Sequence, residues 1–320
     1  MSDAAADVPA HRAVHTPLNA LRGFLIGMAE LVPGVSGGTV ALVTGIYERA
    51  LRAAHQLGVA VKTLVFGPNR ASGFRRQMAA IDWWLVGPLL VGMAVAVLFA
   101  AGTVEHLVSS NPENARGLFF GLVAASLIVP FQLLPKGTRT GVSGAVDLLL
   151  FVVPAAVAFF LVGFASNQEM TDPPYWFVFV AAAVAVCALV VPGVSGSFFL
   201  LAIGLYAPTL QAVDDRVLSY IAVFGAGAIL GLFTVVKFMT VMLERHRRGT
   251  LLIMAGLMLG SLRALWPWQG GEGSEDGHGA LTMPTDPVVM PIVLAVVGAL
   301  VVLALIVVER LVVKRAQPTE

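Results

Sequence analysis

The sequence is poor in charge. Asp, Glu, Lys and Arg make up 12% of its 320 residues, against 58% hydrophobic ones, and the mean hydropathy is +0.85. A water-soluble domain cannot hide that much apolar surface, so that class is excluded. Cysteine is almost absent: Cys187 stands alone, which rules out an intrachain disulfide, and its apolar surroundings mark it as a small buried residue. There is no CxxC and no HExxH, and the six histidines show no ligand spacing, so no metal or other cofactor is expected. No Lys-Ser or Lys-Thr follows a glycine run, so there is no nucleotide loop. The alternating strands of an outer-membrane barrel are missing too. The net charge of +1 points to no partner, and no nucleic-acid partner is expected. Residues 1–16 lack the apolar core of a signal peptide. Segments 1–17 and 314–320 read as cytoplasmic tails.

What is present is long apolar runs. "WWLVGPLLVGMAVAVLFAAG" and "PIVLAVVGALVVLALIVV" are long enough to cross a ~30 Å hydrocarbon core, which takes about 20 residues of helix. The runs predict spanning helices near 83–103, 116–134, 146–166, 217–243, 250–266 and 287–309. The fold class is therefore an all-α polytopic membrane protein. Two further apolar regions, 18–53 and 175–213, are each broken near the middle. Trp83, Trp84, Tyr175, Trp176, Trp266 and Trp268 fall at segment ends, where amphipathic rings suit the headgroup level.

Charge placement predicts the topology. Basic residues gather in 54–82 (Lys62, Arg70, Arg75, Arg76), 135–145 (Lys136, Arg139), 244–249 (Arg245, Arg247, Arg248) and after 309 (Arg310, Lys314, Arg315). The other connections are neutral or acidic, with Glu105, Glu113, Glu169, Asp172, Glu272, Glu275 and Asp276. The positive-inside rule puts the first set in the cytoplasm, together with both termini. That holds only if each broken region crosses the membrane an even number of times. A re-entrant hairpin and a pair of short spanning helices both fit. The arm 21–32, at roughly 18 Å of helix, favours the hairpin for the first region.

The breaks repeat each other. "PGVSGG" at 33–38 returns as "PGVSGS" at 192–197, and ten of the twenty positions of 32–51 match 191–210. "GLVAASL" at 121–127 pairs with "GLMLGSL" at 256–262, so the offset falls from 159 to 135. The difference of 24 reads as an insertion in the cytoplasmic loop 54–82. The first repeat then covers 18–166: hairpin 18–53, that loop and three spanning helices. The second covers 167–313: hairpin 175–213 and three spanning helices. An odd number of crossings per half turns the second upside down, and inverted repeats with broken helices are a transporter architecture.

Each break has its own chemistry. Pro33 and Pro192 end the entering arms. Gly34, Gly37, Gly193 and Gly196 allow unusual backbone and close approach. Ser36 and Ser195 stand where an N-cap is wanted. Two returning helices that start at a common depth would aim unpaired N–H groups at one buried anion. The expected anion-binding set is Pro33, Gly34, Ser36, Gly37, Gly38 and Thr39 in the first apex and Pro192, Gly193, Ser195, Gly196 and Ser197 in the second. Arg263 joins it, because Ile128 stands at the matching place of the first half. Glu30, just before the first apex, reads as a proton-coupling carboxyl, as a donor to the ligand, or as a partner of a nearby arginine. Arg49 and Arg52 suit a phosphate headgroup or plain anionic lipid. Lys237 reads as a snorkelling cation.

At these residues a resemblance is visible. "GMAELVPGVSGGTVALVTGIYERAL" (27–51), "VVPGVSGSFFLLAIGLYAPTL" (190–210) and "GLMLGSLRALWP" (256–267) resemble the PopT-type polyprenyl-phosphate transporters, over about 18–313. The resemblance implies a flippase, not an enzyme, in the bacterial cytoplasmic membrane. It would return undecaprenyl phosphate or a related polyprenyl phosphate across the bilayer after envelope synthesis. Its partners would be that lipid and the bilayer, and the bound anion would be the lipid phosphate. The family often has Asp where Glu30 stands, and Leu189 is the second-half counterpart, so the halves differ chemically. Two alternatives stay open. One is a polyprenyl-diphosphate phosphatase, whose P-G-x-S motif continues with an arginine that is glycine here. The other is a transporter of a small soluble anion.

Overall fold

The computed structural model describes residues 16–31, 35–67, 69–135, 137, 142–163, 170, 173–270 and 281–316. Within them every regular element is helical, and the single β-type contact is a bridge between Gln269 and Leu281. Six segments are long and apolar enough to cross a membrane: Trp83–Ala100, Pro112–Gln132, Ser143–Gly163, Leu218–Arg245, Arg247–Leu265 and Val289–Val308. They lie on the six expected runs.

The first broken region forms α1 (Thr16–Glu30), α2 (Gly37–Val43) and α3 (Tyr47–Phe66). Then come α4 (Arg70–Ala79), α5 (Trp83–Ser110), α6 (Pro112–Ser126), the short α7 (Ile128–Gln132) and α8 (Val142–Gly163). The second broken region forms α9 (Tyr175–Val190), α10 (Gly196–Ala202) and α11 (Tyr206–Asp214). It is followed by α12 (Leu218–Arg245), α13 (Arg247–Ser261) with its 3-10 extension Leu262–Leu265, and α14 (Val289–Ala316).

Segment 54–82, expected as a loop, is mostly helix. Charges interrupt its apolar pattern, yet α3 still buries Tyr47, Leu51, Ala53 and Ala60 and packs on α4. Tyr47 and Trp83 are 36 positions apart and Tyr206 and Leu218 are 12 apart, a difference of 24.

Four helix pairs carry the bundle: α1 with α5, α9 with α12, α6 with α14 and α8 with α13. A Gly-x-x-x-Gly seals each one, at Gly23 and Gly27, Gly227 and Gly231, Gly117 and Gly121, and Gly256 and Gly260. A methyl group at Gly121 would land on the Ala295 carbonyl, and one at Gly260 on that of Ala155. Lipid offers helices no hydrophobic gain on pairing, so close backbone approach and dispersion must hold them. The pairing has a regularity. Each entering arm packs on the first long helix of its own half. The other two pairs cross between halves, α6 to α14 and α13 to α8. Exchanging the halves leaves these four pairs unchanged. Equivalent helices also break alike: Ser126 Oγ donates to the Leu122 carbonyl at the end of α6, and Ser261 Oγ to that of Met258 at the end of α13.

The main core joins both halves. Ala41, Leu42, Val43 and Ile46, from α2 and its exit, pack with Leu85, Val129, Met239, Met254, Met258 and Val302. Ion pairs gather at one end of the bundle, where Glu48 meets Arg247 at 2.7 Å, Arg49 meets Asp82 at 2.6 Å and Asp147 meets Arg248 at 2.7 Å. From there α8 and α13 run side by side to the other end, where Arg263 faces Gly163. At that end the Trp266 and Trp268 indoles donate to the carbonyls of Thr282 and Thr285. Trp83, Trp84, Tyr175 and Trp176 are exposed as expected for a headgroup belt, but Trp268 is buried against Trp266.

Candidate functional site

Both entering arms are short. α1 has 15 residues and α9 has 16, about 22–24 Å of helix at 1.5 Å per residue, less than the ~30 Å core. The returning helices are shorter still, seven residues each. Both end at a glycine with positive φ, Gly45 (69°) and Gly204 (75°), where the chain turns into α3 and α11. Two helical turns add up to only a weak macrodipole. What the apices offer an anion is therefore mainly individual N–H groups.

Pro33 and Gly34 lie outside the described residues. The rest of the first apex is well placed. Ser36 occupies the N-cap position with extended backbone (φ −111°, ψ 121°), but its side chain makes no cap bond. Its buried Oγ makes no hydrogen bond among the described residues. The cap comes from Glu30 instead: the Gly37 N–H donates to Glu30 Oε1 at 2.9 Å. A carboxylate of the chain thus holds the donor that an incoming anion would use. Glu30 thus bonds the apex backbone. Arg22, the arginine of the same arm, donates to Asn19 Oδ1 at 3.0 Å. Sequence reading passed over Asn19, which is buried and donates to the Trp84 carbonyl at 3.0 Å; a lone amide in an apolar arm was the signal.

The second apex is built differently. Pro192 is fully buried, and Gly193 turns with φ 87°. Any side chain at Gly193 would meet the backbone of Met258 at 2.5 Å, in the last turn of α13. Ser195 Oγ and Ser197 Oγ are 3.0 Å apart. At Gly196 an added Cβ would meet the Ala185 carbonyl at 2.5 Å and Leu189 Cβ at 3.5 Å, so Leu189 stands beside Gly196 as Glu30 does beside Gly37. An aliphatic chain cannot accept an N–H bond, so the second apex has no built-in carboxylate cap.

The two apices touch. Gly193 N–H donates to Thr39 Oγ1 across a buried 3.0 Å bond. Gly38 lies against the carbonyls of Leu189 and Val190, 3.3 and 3.1 Å from where its Cβ would be. Tyr47 adds a bond from its hydroxyl to the Val190 carbonyl at 3.1 Å, a contact that its matched partner Tyr206 gave no reason to expect. Arg263 is not brought into this cluster. Its Nη1 donates to the Phe159 carbonyl at 3.3 Å and its guanidinium lies over the Phe159 ring. Arg49 and Arg52 sit at the ion-paired end, beside Asp82 and Glu48.

Comparison with known proteins places this geometry. Over 250 residues the chain is 32% identical to a polyprenyl-phosphate transporter of Vibrio cholerae serotype O1, covering 78% of this chain and 77% of that protein. Over 264 residues it is 26% identical to a polyprenyl-phosphate transporter of Staphylococcus aureus, covering 78% and 86%. No solved structure matches it. Residues 26–280, which include both apices and the helices that hold them, match the undecaprenyl phosphate translocase-like family, and the chain belongs to that family.

Proposed function

We propose that the chain carries undecaprenyl phosphate or a related polyprenyl phosphate across the bacterial cytoplasmic membrane, by alternating access around the joined apices. One observation carries the reading: two broken helices meet at mid-depth through Gly193 N–H and Thr39 Oγ1. Gly193 packs on Met258, eleven residues along α13 from Arg247, about 16 Å from the ion-paired end. The hairpins leave this point in opposite directions. The first leads to Glu48 at the ion-paired end. The second leads to Gly204, whose carbonyl accepts from Met170 N–H, seven positions beyond α8 at the far end. This supports two re-entrant hairpins in an inverted repeat, with basic segments and both termini cytoplasmic. Seven-residue returning arms are too short for spanning pairs.

The lipid phosphate binds among Ser36, Gly37, Gly38, Thr39, Gly193, Ser195, Gly196 and Ser197, beside Pro192. It displaces the Glu30 carboxylate from Gly37 N–H. Glu30 then takes up a proton, which couples the step to pH. The prenyl tail stays in lipid. The test is purified protein in liposomes. It should move polyprenyl phosphate between leaflets and release no inorganic phosphate from polyprenyl diphosphate. Phosphate release without lipid movement would make it a phosphatase.

A further inference from the structure

On the flank of the bundle the outer face of α8 and the end of α13 border an open groove of about 500 Å³. Phe151, Ala155, Ala156 and Phe159 of α8, Leu259 of α13 and Phe120 of α6 line it. The volume falls within the roughly 300–1,000 Å³ of ligand sites. Among its lining residues one is charged, Arg263. Its guanidinium stands 4.6 Å above the Phe159 ring, its Nη1 bond is a long 3.3 Å, and its buried Nε makes no hydrogen bond. Among the described residues no carboxylate is in ion-pair distance of it. Guanidinium carries five donors, and a cation among aromatic rings without a counter-charge is costly. An apolar groove headed by a cation that has no ion-pair partner among the described residues complements a ligand with an anionic head and an apolar tail.

We propose that this groove is a second lipid site, distinct from the apex, in which a prenyl phosphate lays its first isoprene units along the outer face of α8 and the end of α13 and its phosphate on Arg263. The inference rests on the transport reading and deepens it by giving the lipid a docking station beside the pathway. The station adjoins the apex without sharing it. Arg263 follows Met258, the neighbour of Gly193, by five positions, about 7 Å of helix. Leu262 and Leu265 on the same turn pack with Ala29 and Val35 of the first hairpin, while Arg263 turns to α8. A small movement of one turn would pass a headgroup from one site to the other.

The test is photolabelling of the full chain in nanodiscs with a diazirine-bearing farnesyl phosphate, followed by peptide mapping. Wild-type protein should be labelled on α8 and α13 near Phe159 and Leu259. Arg263→Gln should lose roughly tenfold or more of that labelling, the scale of one charge-assisted contact, and Arg263→Lys should recover part of it. Ala156→Trp, which fills the groove and keeps the arginine, should lose it too. Labelling confined to the apex, labelling unchanged in Arg263→Gln, or equal labelling by the matching prenyl alcohol overturns the groove site and leaves transport standing. Displacement by phosphatidylglycerol or inorganic phosphate as readily as by unlabelled farnesyl phosphate overturns it too. Groove labelling by a protein that moves no lipid in liposomes upholds the groove and sinks the transport reading.

Discussion

At Gly37 a single added methyl group would fall on the Glu30 carboxylate, so this glycine and this acid form one unit. The unit is how the first apex satisfies a helix start that its own serine leaves uncapped. Glu30→Gln keeps an acceptor for Gly37 N–H but cannot exchange a proton. The protein should fold and bind prenyl phosphate, lose most net flux, and show a flattened pH profile in the liposome assay. A normal rate with a normal profile would make Glu30 a structural cap only. Gly193→Ala tests the other apex. A non-glycine residue held at φ 87° costs about 1–3 kcal/mol, and here its Cβ also meets the Met258 backbone. A lower unfolding temperature in detergent, with reduced transport, is the expected result; wild-type values on both counts would contradict the apex geometry.

The elements show what a sequence can and cannot reveal. The six spanning helices were legible because length and apolarity alone define them, and the breaks because Pro and Gly recur at a fixed offset. The early end of the returning helices was not. In "GGTVALVTGIY" the stop after two turns is marked only by Thr44 and Gly45 inside an apolar run, and the positive φ of Gly45 is a property of the folded chain. Glu30 read as an acid within an apolar arm, but nothing local in the sequence shows that its carboxyl meets Gly37 N–H, seven positions on. The helix pairs that cross between halves were hidden for a similar reason: nothing local in α6 says that its partner is α14. Those pairs can be tested through their glycines. Gly121→Val puts a branched side chain onto the Ala295 carbonyl and should cost about 1–3 kcal/mol, as overpacking does. Its unfolding temperature should drop, while Gly87→Val, where an added Cβ meets nothing within 4 Å, should leave it almost unchanged. Equal effects would mean that close contact between α6 and α14 does not hold the bundle.

For the whole molecule, the question is whether the two hairpins face opposite sides of the membrane. The ion-paired end joins the exit of the first hairpin to the turn between α12 and α13 through Glu48 and Arg247, and α4 with its basic residues lies on the same chain segment. The far end holds Arg263, the paired tryptophans and the strap at 281–287. Positive charge favours the cytoplasm, so the first end should face in and the second out. The Cys187 thiol makes a long contact to the Gly231 carbonyl and packs, half-buried, at the edge of the main core, so the small change Cys187→Ala should give a stable cysteine-free background. Ser72→Cys on α4 and Met283→Cys on the strap are then both exposed probes, one for each end. In intact cells a membrane-impermeant maleimide should label Met283→Cys and spare Ser72→Cys until the cells are opened. Labelling of both probes from outside, or the reverse pattern, would remove the inverted repeat and with it the idea that one buried site is reached from two sides. The expected pattern would leave each hairpin open to its own face, with the Gly193–Thr39 bond between them as the barrier that a passing phosphate must break.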